Sequence, residues 1–165
     1  MLTNDELEAN NRRYRAAFTG GRLASSPARQ LIVLTCMDAR IDPMRILGLR
    51  DGDAHILRNA GGRVSDDVGR SIVISQQLLG TRQIVVMHHT SCGLLNVTNE
   101  DLRQKLRPQL GASVDAIEFL PLGSDPADSV RRDVMALRNS TLLAKDSQVT
   151  GYVYDVSTGS ITSVL

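Results

Sequence analysis

Tryptophan is absent from this sequence, and aromatic residues make up only 3% of its 165 positions. Proteins that hold single-stranded nucleic acid stack its bases on aromatic side chains, so that class lacks its main tool here. Charge of one sign is missing as well. Nineteen Lys and Arg stand against 18 Asp and Glu, a formal net charge of +1, with no dense basic run in either half. Nothing in that balance would hold a phosphate backbone. No apolar run approaches the roughly 18 residues of a membrane span, and the opening stretch MLTNDELEANNRRYRAAF lacks the apolar core of a secretory signal. The expectation is a cytoplasmic protein that binds neither nucleic acid nor membrane.

Cysteine is also scarce, with only Cys36 and Cys92. Without an export signal, two cysteines read more naturally as metal ligands or free thiols than as a disulfide framework.

What the chain does have is enough apolar content, 42%, to bury the core of one domain. Thr3 and Glu6 have capping-box spacing, so a helix is expected from there to Gly20-Gly21. Its apolar content is thin, and alone it would be marginal. Residues 1–29 are therefore expected to form an arm packed on a partner subunit, within a single domain of residues 1–165.

A regular alternation follows. Leu31 to Thr35 is a short β-branched run typical of a strand covered on both faces. Asp42-Pro43 starts a short helix that Gly48 stops. Ala54 to Arg58 is a strand, Asp66 to Leu79 a helix, Gln83 to His88 a strand, and Thr98 to Leu106 a helix. Residues 107–126, with three prolines and two glycines, predict a loop. Asp125-Pro126 opens another helix. Tyr152 to Val156, a turn, and Ile161 to Val164 predict a strand and an edge strand. Strands alternating with helices give an α/β fold: a mainly parallel central sheet of order about 2-1-3-4, an antiparallel edge strand, and helices on both faces.

In such a sheet the C-terminal strand ends share one edge, and ligands bind where the strand order reverses. Cys36 ends the first strand, and His88-His89-Thr90-Ser91-Cys92 follows the third. Cys36 with His89-x-x-Cys92 is a three-ligand set suited to zinc, with an open fourth position as in catalytic sites. Water in that position loses a proton near neutral pH. Asp38 is placed to be either a fourth ligand or an acceptor for the zinc-bound water, and Arg40 can hold its carboxylate in a two-pronged ion pair that keeps it off the metal.

Each of these residues has a plainer reading when taken alone. Cys36 would be an inert core residue, Asp38 and Arg40 a loop salt bridge, and His55 and His88 satisfied histidines. The combination at two neighbouring strand ends argues against those readings. A phosphatase loop needs five residues between Cys and Arg, and only three separate Cys36 from Arg40. A Cys36–Cys92 disulfide would leave His89, Asp38 and Arg40 without a role.

Cys36-Met37-Asp38-Ala39-Arg40, then Arg58-Asn59-Ala60-Gly61, then His89-Thr90-Ser91-Cys92-Gly93 resemble the β-class carbonic anhydrases in identity, order and spacing. The likeness is strong over residues 30 to 95. It is closest to a small subgroup that is also similar to hydrolases of carbonyl sulfide and carbon disulfide. The resemblance implies one Zn2+ per subunit on Cys36, His89 and Cys92, with Asp38 and Arg40 as the catalytic dyad. It implies a homo-oligomer, a dimer or dimer of dimers, with the site near the subunit interface and the N-terminal helix on the neighbour. The reaction implied is attack of zinc hydroxide on a small linear heteroallene, foremost CO2 with bicarbonate as product. Hydrolysis of carbonyl sulfide or carbon disulfide on the same site is the alternative, and a zinc-bearing structural or binding protein without catalysis is the alternative of another class. Met37, Gly61, Leu94 and Leu95 are expected around the substrate, and His88 and His55 are the weak candidates for carrying the proton away.

Overall fold

The computed structural model describes residues 1–165. Five strands form one sheet: β1 (Leu31–Cys36), β2 (Ala54–Asn59), β3 (Gln83–His89), β4 (Gln148–Tyr154) and β5 (Ile161–Ser163). Their order is β2-β1-β3-β4-β5, parallel throughout except for β5. This is the expected order with the antiparallel strand at the edge. The helices are α1 (Asn4–Ala16), α2 (Pro43–Ile46), α3 (Asp66–Gln77), α4 (Asn99–Leu110) and α5 (Pro126–Arg138). None of them is long and apolar enough to cross a membrane.

The all-apolar character of β1 is explained by burial on both faces. Ile32 and Leu34 point into a core with Val68 and Ile72 of α3 and Val130, Val134 and Leu137 of α5. Leu31 and Val33 point the other way, into a second core with Ile41, Met87, Leu122 and the flanking residues of α2. A strand sandwiched in this way has no solvent face to make polar.

The helix starts follow the local chemistry. Thr3 and Glu6 form the capping box, and so do Thr98 and Asp101. Asp42 and Asp125 accept from Arg45 N and Ala127 N, each ahead of a proline at the first helical position.

Several boundaries differ from expectation, and helix α4 runs four residues past its expected end, through Pro108 to Leu110. Helix α1 stops at Ala16 rather than Gly20, and its residues are all outside the core, with Tyr14 and Phe18 stacked only on each other at 5.6 Å. Residues 111–116, expected as loop, form a 3-10 turn after α4. Strand β4 begins at Gln148, four residues before Tyr152. Gly151 lowers the intrinsic strand preference there, but the sheet has a use for it: a Cβ at Gly151 would overlap Val130 Cγ1 of α5. The missing side chain lets the helix lie close on the sheet.

Gly151→Ala therefore overpacks the α5–β4 interface. The expected cost is about 1–3 kcal/mol of stability, read as a lower midpoint in denaturant unfolding with an unchanged slope.

Candidate metal centre and its surroundings

Parallel pairing of Thr35 with Met87 brings the ends of β1 and β3 side by side. Cys36 closes one strand and His89 the other. After His89 the chain turns sharply, with Ser91 at φ +55°, and presents Cys92. The turn is tied to the end of β4, since Thr90 N donates to Tyr154 O at 2.9 Å and Val156 N donates to Thr90 Oγ1 at 3.2 Å.

The result is a buried cluster in which one donor atom from each of Cys36, His89 and Cys92 lies within 4.8 Å of the others. Both cysteines are free thiols. His89 Nδ1 lies 2.9 Å from Thr90 O. A carbonyl only accepts, so Nδ1 carries the hydrogen and Nε2 keeps its lone pair. Nε2 is buried without any hydrogen-bond partner. A buried acceptor left unpaired, facing two sulfurs, fits a cation that is not a proton, and a backbone carbonyl holding the other imidazole nitrogen is the usual arrangement behind a metal-binding histidine.

The two thiols bear directly on each other's acidity. The Cys92 hydrogen bond, against the opposing effect of burial, brings the Cys36 thiol down to about 4. The bond to the resulting Cys36 thiolate, together with burial, pushes Cys92 up. For His89, burial pulls downward, but the nearby Cys36 sulfur and the Thr90 carbonyl outweigh it and the net direction is up. The pocket thus accumulates negative charge next to a lone pair, which is a donor set for a soft divalent ion.

Asp38 sits beside it, with Oδ2 3.8 Å from His89 Nε2. Arg40 holds the carboxylate in a fork, Nε to Oδ1 at 2.9 Å and NH2 to Oδ2 at 2.7 Å, and its own backbone N–H adds a third bond to Oδ1 at 2.9 Å. These bonds keep the Asp38 carboxyl well below the usual carboxylate range. The Arg40 side chain is half exposed, so the pair contributes little to stability; what it fixes is the orientation of the carboxylate.

The loop bearing Asp38 is pinned from behind. Arg58 donates to Cys36 O at 3.0 Å and to Asp38 O at 2.7 Å. Asn59 closes the next turn by bonds to Arg63 N and Arg63 O, each 2.8 Å. Gly61 has φ +78°, and a Cβ there would meet Leu122 Cδ1 at 2.8 Å and Leu94 Cδ1 at 3.1 Å.

An open cleft of about 470 Å³ reaches Cys36, Asp38 and Cys92. Met37, Gly61 and Leu94 line it as expected, with Ala39, Ala60 and Gly93. Leu95 does not line it; it bridges to Gly123 and packs in the core.

The two histidines named for proton transfer are elsewhere. His55 pairs with Ile32, far back along β2 from the strand ends, and bonds Ser75 Oγ at 2.7 Å. His88 points away from His89, as alternate strand residues must. It is fully buried, with Nε2 3.1 Å from Gly62 O. Sequence reading named Arg58 in the motif beside the site but not its role, since bonds to carbonyls leave no local pattern, and did not find the Ser91 carbonyl, which accepts from Arg40 at 3.1 Å.

Residues 31–120 match the carbonic anhydrase family model. The chain belongs to the β-carbonic anhydrase family. Members of this family are zinc-dependent lyases. The chain is 38% identical over 165 residues to Beta-carbonic anhydrase 1 of Mycobacterium tuberculosis, covering 99% of each. It superposes on the crystal structure of carbonic anhydrase from Streptococcus mutans with a TM-score of 0.93, at 42% identity and 100% coverage of both chains. It is also 38% identical over 152 residues to the carbon disulfide hydrolase of Acidianus sp., covering 79% of this chain and 74% of that protein.

The fork on Asp38 makes a directional prediction. A carboxyl held below its unfolded range contributes stability above that range and loses it as pH falls through the folded value. Arg40→Ala removes the fork, so Asp38 should titrate at higher pH, closer to an ordinary aspartate. A carboxyl-carbon NMR titration measures this.

Proposed function

We propose that the protein catalyses reversible hydration of carbon dioxide to bicarbonate and a proton, with zinc held by Cys36, His89 and Cys92. The observation that carries this reading is the unpaired His89 Nε2 facing two free thiols, 3.8 Å from a carboxylate that Arg40 holds aside. Zinc bound there supplies a Lewis acid that makes water a nucleophile at neutral pH.

The chain's own residues do the rest. Asp38, kept ionised and turned by Arg40, accepts a hydrogen bond from the attacking water and aims its lone pair at the substrate carbon. Arg40 holds the carboxylate by both oxygens, so Asp38 would stay free to accept a hydrogen bond rather than bind a metal held by Cys36, His89 and Cys92. The cleft between Met37, Gly61 and Leu94 admits a small linear molecule and offers it an apolar wall. The proton leaves to solvent by the open side of the cleft.

A second reading is supported by the same wall and by the kinship with a carbon disulfide hydrolase. On it, the nucleophile attacks carbonyl sulfide or carbon disulfide and sulfide is released. The end-to-end match with carbonic anhydrases favours carbon dioxide. A purely structural zinc protein would need neither Asp38 nor Arg40.

We also propose a homo-oligomer in which α1 packs on a second copy, because Leu7 and Tyr14 of α1 and Phe18 just beyond it are each about half exposed and the helix buries nothing within its own chain.

Zinc-loaded protein should contain one zinc per chain, and Cys92→Ser or His89→Ala should lose it. Asp38→Ala should keep the zinc and fold but lose about 10²-fold or more in turnover. Unchanged turnover in that variant would remove Asp38 from the mechanism. A paired assay, stopped-flow hydration of carbon dioxide against sulfide release from carbonyl sulfide, separates the two substrates. Hydration should dominate, and dominant sulfide release would establish the second reading instead.

A further inference from the structure

His88 is a fully buried polar group beside the centre that the proposed reaction does not use, and its Nδ1 has no hydrogen-bond partner. Its Nε2 faces two acceptors, Gly62 O at 3.1 Å and Asp133 Oδ2 at 3.3 Å, so Nε2 carries the hydrogen and donates to both. Asp133, buried on α5, receives Arg63 through both oxygens at 2.8 and 3.0 Å. Arg63 in turn donates to Leu120 O at 2.7 Å and Pro121 O at 2.6 Å. The unit therefore joins four segments: β3, the turn after β2, α5, and the loop that supplies Leu122.

Two of these segments abut the cluster. Gly62 has φ +70°, and its backbone lies so near β1 that a Cβ would stand 2.8 Å from Cys36 N and from Thr35 C. On the other side, His88 shares a peptide bond with His89. The imidazole thus spans from the turn backing Cys36 to the strand bearing His89, and its length sets how far apart they stand. Leu122, fixed through Arg63, lies under Gly61 at the cleft.

The geometry points to His88, braced by Asp133 and Arg63, as a positioning residue that sets the Cys36–His89 separation for the metal. The inference rests on the zinc reading above. The buried acceptors Gly62 O and Asp133 Oδ2 account for a donor that stabilises the fold, but not for one whose reach matters to the metal. A spacer requires one, because the reach of Nε2–H to Gly62 O defines the distance. His88→Gln keeps an N–H donor at nearly the same reach, whereas His88→Leu fills the space without it.

The test compares the wild type with these two variants in zinc affinity, by competition with a chromophoric chelator, and in the visible spectrum of the cobalt-substituted protein. His88→Leu should bind zinc about 10-fold or more weakly and show shifted cobalt bands. His88→Gln should stay within about twofold of wild type with its bands restored. If His88→Leu does not fold, His88→Asn, whose amide is too short to reach Gly62 O, takes its place with the same expectation. Wild-type affinity and bands in a folded donor-free variant, even one of lower melting temperature, would mean that His88 only fills the core and would overturn the inference. Failure of the wild type itself to take up zinc would instead overturn the reading of the centre, and the inference with it.

Discussion

The parallel pairing of β1 with β3 is the constraint on which the site depends. Backbone hydrogen bonds set Thr35 beside Met87, and that register brings the strand ends carrying Cys36, His89 and the turn to Cys92 together. From β1 the chain crosses to β2 on one side, and β3 then pairs on the other. The order of strands reverses there, and the reversal opens the crevice at the carboxyl ends. A shift of one residue in β3 would exchange His89 for His88 across the sheet, turning the free imidazole nitrogen away from the thiols. The register is held by burial on both faces: Ile84 and Val86 on the α3–α5 side, Val85 and Met87 on the other.

Holding such a cluster in a buried place has an electrostatic consequence. Two thiols and an imidazole with little water around them cannot each be charged or each be satisfied. The contact between the sulfurs draws the Cys36 thiol down and pushes Cys92 up, while His89 Nε2 has no hydrogen-bond partner. Beside it, Asp38 is tied down by Arg40 and the loop carbonyls by Arg58, while on the other face of β3 His88 Nδ1 also lies buried without a partner. What distinguishes this cluster from a chance meeting of buried cysteines is the convergence of two sulfurs and an unpaired imidazole nitrogen beside a carboxylate that Arg40 fixes.

Much of this was legible in the sequence because strong local signals carried it. Leu31 to Thr35 could be little else than a strand covered on both faces, the Asp-Pro pairs at 42 and 125 mark helix starts, and Cys36 and His89-x-x-Cys92 fall where strands must end. Legibility failed where tertiary contact overrides local preference. Gly151 hid the first half of β4 because its value lies in what α5 needs, and residues 111–116 took up a turn that prolines and glycines nearby disguised. Leu95 was one residue too far along to face the cleft, a matter of turn geometry. The roles of Arg58 and the Ser91 carbonyl were invisible because backbone acceptors leave no residue type behind. His55 and His88 were named only for their chemistry, and burial in the structure assigns both to other partners.

The central claim is that two sulfurs and one imidazole nitrogen hold the metal while Asp38 stands apart on Arg40. X-ray absorption at the zinc edge of the loaded protein tests it most directly. The account predicts two sulfur scatterers near about 2.3 Å and light scatterers near about 2.0–2.1 Å, including one imidazole. A shell of nitrogen and oxygen alone, or a single sulfur, would contradict it.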